Sequence, residues 1–116
     1  MFPISPSSKF FLYSKAVDMR KSFNGLQGII YNNLDSNPLS GDIYLFINKR
    51  RDRIKLLVWD RTGFWLLYKR LERGRFQELI NSENKTIELS YESLIMLLEG
   101  IDIYSVKRRK RYKITA

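Results

Sequence analysis

RIKLLVWD, residues Arg53 to Asp60, is followed by Arg61-Thr62-Gly63 and then by FWLLYKRL, Phe64 to Leu71. Both octets are rich in strand-forming residues, and the three residues between them read as a tight hairpin loop with Gly63 free to take positive φ. Along the first octet, Ile54, Leu56 and Val58 share one face, whereas Leu57 and Trp59 share the other with Lys55. A strand apolar on both faces needs a cover on each side, or a partner on one of them.

Upstream, Asp42 to Asn48 (DIYLFIN) is an apolar strand, and Asn48-Lys49-Arg50-Arg51-Asp52 is a polar turn leading into the hairpin. Residues 1–8, rich in Pro and Ser, form an irregular lead-in, and Lys9 to Ser14 (KFFLYS) is a short strand. Asp18 is placed to cap a helix beginning at Met19, with Met19, Phe23, Leu26, Ile30 and Leu34 as its apolar stripe. Gly25 and Gly28 fall inside that stripe, where close packing on a sheet would justify them. Asn32 to Gly41 reads as a loop.

Downstream, Glu72 to Arg75 and Asn81 to Lys85 read as turns, and Thr86 to Leu89 as a short strand. Ser90 caps a closing helix that runs to Gly100. The order β-α-β-β-β-β-α defines an α+β fold: a mostly antiparallel sheet, two helices and one domain over residues 1–106, followed by a basic tail over 107–116.

The chain has 116 residues, no histidine and no cysteine. Those absences exclude disulfides, thiolate or Ser-His-Asp nucleophiles and the usual zinc and iron–sulfur ligand sets. No cofactor or metal is expected. The first residues carry no charged and then apolar leader, and no apolar run is long enough to cross a membrane, so the expected compartment is the cytoplasm.

The net charge of +9 is unevenly distributed. Residues 49–75 carry +7 and residues 107–116 carry +6, around an acidic segment of −5 over 76–106. Segregated positive charge favours a polyanionic partner, most often nucleic acid.

The candidate phosphate contacts are Lys49, Arg50, Arg51, Arg53 and Lys55 on the turn and first hairpin strand, with Arg61 at the loop. Lys69, Arg70, Arg73 and Arg75 follow, with Gly74 permitting close backbone approach and Glu72 available as an arginine partner. Arg20 and Lys21 would stand in the first turn of the first helix. Lys107, Arg108, Arg109, Lys110 and Arg111 make the tail a counterion-releasing arm. Trp59, Phe64, Trp65 and Tyr68 are interleaved with the hairpin cations; stacking on bases is open to them, but large rings usually bury and these read as core. Catalysis would have to come from carboxylates such as Asp52, Asp60 and Glu72, or from Glu83-Asn84-Lys85, and no arrangement of them rises above chance, so no enzymatic activity is expected.

Several of these stretches together resemble one family. Val17-Asp18-Met19-Arg20-Lys21-Ser22-Phe23-Asn24-Gly25-Leu26 is similar to its TDMRKGFDGL signature, with Val17, Ser22 and Asn24 departing from it. Ser40 to Phe46 resembles SGHLFVF, and Arg51 to Lys55 with Trp59-Asp60 resembles RADRIKLLYWD. Lys69 to Phe76 reproduces KRLERGRF, and Leu97 to Asp102 reproduces LLEGID. The family is the TnpB-type (second reading frame) accessory protein of the insertion-sequence family numbered sixty-six. The resemblance implies an accessory protein encoded beside a larger transposase and needed for efficient transposition in bacteria, with no catalytic residues to carry over. Together with the segregated charge it leads to the expectation of a non-enzymatic accessory factor with DNA and the element-encoded transposase as partners. The alternative is an interaction module that docks on the transposase without touching DNA, through the two-sided hairpin or the acidic 76–106 segment.

Overall fold

The computed structural model describes residues 3–79 and 83–101. Strands β1 (Phe10–Tyr13), β2 (Ile43–Ile47), β3 (Arg53–Asp60), β4 (Gly63–Arg70) and β5 (Thr86–Leu89) form one sheet in the order β4-β3-β2-β1-β5. Helix α1 (Phe23–Gly28) lies between β1 and β2, and α2 (Tyr91–Leu98) follows β5. This is the expected element order and an α+β fold. Every neighbouring pair is antiparallel except β1 and β2, which are parallel and joined by the crossover that carries α1.

Alternation along each strand sorts the side chains into two cores. Phe10 and Leu12, Ile43, Leu45 and Ile47, and Ile54, Leu56 and Val58 point to the face covered by Leu94 and Leu97 of α2. Tyr13, Tyr44, Phe46 and Leu57 point to the other, covered by Leu26, Ile29 and Ile30 of the crossover. Both faces of the hairpin strand β3 are thus covered within the chain. Phe76, outside any strand, is fully buried on the α2 side.

The first helix departs from its expected start. Asp18 does not cap it: its carboxylate accepts from the Arg20 backbone N–H (2.9 Å) and guanidinium, while its own carbonyl accepts from Lys21 N–H (3.0 Å). This local turn uses the groups that would have opened a helix at Met19, so α1 begins only after Ser22. Past Gly28 the coil widens into π-helical geometry over Ile29–Asn33, with Leu34 N–H on the Ile29 carbonyl. The loop therefore starts after Asn33 rather than at Asn32. Leu26 and Ile30 of the expected stripe are buried, Ile29 joins them, and Phe23 is 43% exposed. A Cβ on Gly25 would sit 3.2 Å from the Lys21 stem, so glycine there accommodates the preceding turn and not the sheet.

The hairpin loop is also tighter than expected. Gly63 already pairs with Asp60, leaving Arg61-Thr62 as the loop, and the positive φ falls on Arg61 (44°). At α2 the expected signals are in place. Ser90 Oγ accepts from Ser93 N–H, and Gly100 (φ 74°) ends the helix with Gly100 N–H on Leu97 O and Ile101 N–H on Met96 O. No helix among the described residues is long and apolar enough to cross a membrane.

Phe76→Ala is expected to lower unfolding free energy by about 3–5 kcal/mol, read by urea denaturation, because it empties a full ring volume from the α2-side core.

Candidate nucleic-acid interface

The carboxyl ends of β1, β2 and β4 and the amino ends of β3 and β5 lie at the same end of the sheet. Three basic segments converge there. The first is the 48–52 turn, organised by Asn48: its Oδ1 accepts from Asp52 N–H (3.1 Å) and Arg53 N–H (3.0 Å), and its amide donates to Asp52 Oδ1 (2.7 Å). Arg51 adopts φ 58° within this turn, its N–H donating to the Asn48 carbonyl. The Asn48 amide, assisted by Arg50 and Arg53, holds the Asp52 carboxyl below its ordinary range.

The second segment runs from β4 to Phe76. Leu71 N–H donates to the Asp52 carbonyl and Phe76 N–H to the Arg51 carbonyl, both at 2.7 Å, so residues 71–76 arc over the turn and are pinned at both ends. Arg73 and Arg75 are exposed on this arc, and Gly74 takes φ 75° between them. Arg53 and Arg70 are register partners on the α1 side of the sheet, two cations directly opposed across strands. Arg53 donates to the Tyr68 hydroxyl, and Arg70 pairs with Glu72 at 2.9 Å, which raises the guanidinium pKa.

The third segment is the 18–21 turn. Lys55 ties it to the sheet, its ammonium donating to the carbonyls of Met19 and Lys21, each at 2.7 Å. Lys55 is 5% exposed and is therefore removed from the expected phosphate contacts: its charge is spent on main-chain oxygens and on the Tyr68 ring, 4.8 Å away. Arg20 and Lys21 are exposed, but in this turn and not in the first turn of a helix. Between the 16–19 stretch and the 48–53 turn lies a groove of about 610 Å³ lined in part by Lys49, Arg50 and Arg53.

Other expected residues fall elsewhere. Arg61 is at the opposite end of β3, about 23 Å from Arg53 along an eight-residue strand. Lys69 donates to the Leu98 carbonyl and so closes the end of α2. Lys107 to Arg111 lie outside the described residues. Asp52 and Asp60 stand at opposite ends of β3, so the suggested carboxylate group with Glu72 is not assembled, and no group of three His, Cys, Asp or Glu poised for a metal occurs among the described residues. Of the interleaved aromatics, Trp59 and Phe64 pack edge to face, whereas Trp65 and Tyr68 are 46% and 52% exposed, contrary to their expected burial. Sequence reasoning passed over Asn48 and Phe76; an Asn opening a charged turn is a recognisable signal, but a lone Phe after an arginine run is not.

An α+β protein with its sheet covered on both faces and a basic end to that sheet is the class these features define. The chain belongs to the IS66 Orf2-like family, TnpB of that insertion sequence, whose match spans residues 8–108. It is 33% identical over 108 residues to the uncharacterized protein y4jC of Sinorhizobium fredii strain NGR234, covering 91% of this chain and 92% of that one. It is 32% identical over 102 residues to y4hO of the same organism, covering 88% of each. No solved structure matches it.

Asp18 is held to a pKa of about 2 by the Arg20 guanidinium and then by the Arg20 backbone N–H, against an ordinary 3.8. A depressed carboxylate stabilises the fold at pH above 3.8, and that contribution is lost as pH falls towards 2. The Asp18 carboxyl carbon, followed by NMR, should titrate near 2 in the native chain and return towards 3.8 in Arg20→Ala.

Proposed function

We propose that this chain is a non-enzymatic accessory factor for transposition of a bacterial insertion sequence and that it binds DNA through phosphates. The observation that carries the reading is the convergence of cations from three separate segments at one end of the sheet. Lys49 and Arg50 project from the turn, Arg73 and Arg75 from the arc, and Arg20 and Lys21 from the stretch before α1. Arg53 and Arg70 stand opposite each other at the ends of β3 and β4, and Arg51 is held in the turn by Glu78. The ion pairs Arg20–Asp18, Arg51–Glu78 and Arg70–Glu72 involve partly exposed side chains, and such pairs contribute only about 0–1 kcal/mol each, so a phosphate can displace the carboxylate.

Described residues end at Ile101, just past Gly100, whose Cβ position would touch Leu71 at the base of the arc. The +6 segment of residues 107–116, by its charge alone, would add nonspecific phosphate affinity. Family membership supports a partnership with the element's transposase, and the bacterial cytoplasm is the compartment where that partnership and the DNA are found. A second reading, docking on the transposase without DNA, is favoured by the exposed Tyr91 and Ile95, one turn apart on α2.

Titration of labelled duplex DNA at several salt concentrations separates the two. With about four to six phosphate contacts, log K should fall against log salt with a slope near −4 to −5. Lys49→Ala with Arg50→Ala should flatten that slope by about 2, whereas Lys9→Ala, at the far end of the sheet, should leave it unchanged. Absence of binding at low salt, to single-stranded as well as to duplex DNA, would overturn the DNA reading in favour of docking.

A further inference from the structure

Tyr68 is the exposed aromatic that lies among the cations. Its neighbours along the face are Arg53 and Arg70 of the basic end, and its register partner is Lys55. Trp65, the other exposed ring of β4, is on the opposite face and donates its indole N–H to Asp60 at the hairpin tip. The placement of Tyr68 has a cost, because a ring half in water gains little from burial.

What holds the ring is specific. Lys55 lies over one face of it, and that ammonium is itself fixed by the carbonyls of Met19 and Lys21. The hydroxyl accepts from Arg53 Nη1 at 3.3 Å. The ring is therefore backed by a cation on one side, tethered at its edge and 52% open to solvent. Neither tether is needed to bury Tyr68, and together they pre-orient a flat apolar surface between phosphate-binding side chains.

We infer that Tyr68 is a stacking platform for an unpaired base, so that the nucleic acid taken at this end is single-stranded or locally melted DNA. The inference rests on the DNA-binding reading and deepens it. Within a duplex each base already has neighbours on both of its faces, so a side-chain ring can stack only on a base that has left the helix. With one base on the open face of Tyr68, Arg53 and Arg70 lie within one residue pair of it, about 7 Å along the strands, and are placed for the flanking phosphates. Stacking on such a ring is open to any base, because every base has a π-face.

The test compares binding of an oligothymidylate of about 15 nucleotides with binding of a duplex of equal length, by fluorescence anisotropy at one salt concentration. Tyr68→Leu should weaken binding of the single strand by about fivefold to a hundredfold and leave duplex affinity unchanged, while Tyr68→Phe retains single-strand affinity. Equal loss on both DNAs, or no loss on the single strand, overturns the platform and leaves phosphate binding standing. Failure of the native chain to bind either DNA overturns both readings. Photocrosslinking of the native chain to an iodouracil-substituted strand avoids any effect of substitution on folding: a crosslink at Tyr68 is expected, and crosslinks found only elsewhere overturn the platform.

Discussion

The constraint on which the rest of this structure depends is that β2 is buried along its whole length and on both faces. A strand of IYLFI has no polar side to give to water, so it must lie inside the sheet with a strand on each edge and a layer on each face. The hairpin strand β3 supplies one edge and β1 the other. Because β1 precedes β2 in the chain and pairs with it in parallel, the connection must cross over a face, and that crossover is α1 with its π-helical extension. The opposite face is left for α2 and Phe76.

The same constraint decides where charge can go. With two-sided apolar strands at the centre, the basic residues of the 49–75 block have no place within the sheet except near strand ends and on the outer strand β4. Polar turns at one end of the sheet therefore collect them. Lys55 is the exception, since it falls in mid-face on β3, and the fold resolves the buried ammonium with two main-chain carbonyls from the 18–21 turn. That bond in turn positions Arg20 and Lys21 beside the hairpin, some thirty residues away in sequence, and sets the orientation of Tyr68. A cation read from sequence as a ligand contact is in the fold a strut beneath the basic surface.

The membership of the IS66 Orf2-like family and the basic end of the sheet bear on each other through particular residues. The stretch from Lys69 to Phe76 is the clearest case. Lys69 closes α2, Arg70 opposes Arg53, Arg73 and Arg75 remain in solvent, and Phe76 anchors the run in the core. One short segment thus combines structural and surface roles residue by residue, and a reading that assigned it wholly to a turn or wholly to a phosphate clamp would miss half of it.

Alternation and turn chemistry in the sequence determined the five strands, the two-faced character of β3, the Ser90 cap and the Gly100 stop, because each depends on neighbours within a few residues. Composition alone determined that any chemistry would proceed without histidine or cysteine, and that the positive charge is segregated. The family was legible too, in motifs spread along the chain. Tertiary structure alone decided the parallel pairing of β1 with β2, the late start of α1, the burial of Lys55, the exposure of Tyr68 and the separation of Arg61 from the other arginines. These depend on which groups meet across long sequence distances. A lysine on a strand face is a surface cation or a buried strut according to whether free carbonyls arrive above it, and a tyrosine two residues from an arginine is core or surface according to how far the crossover reaches.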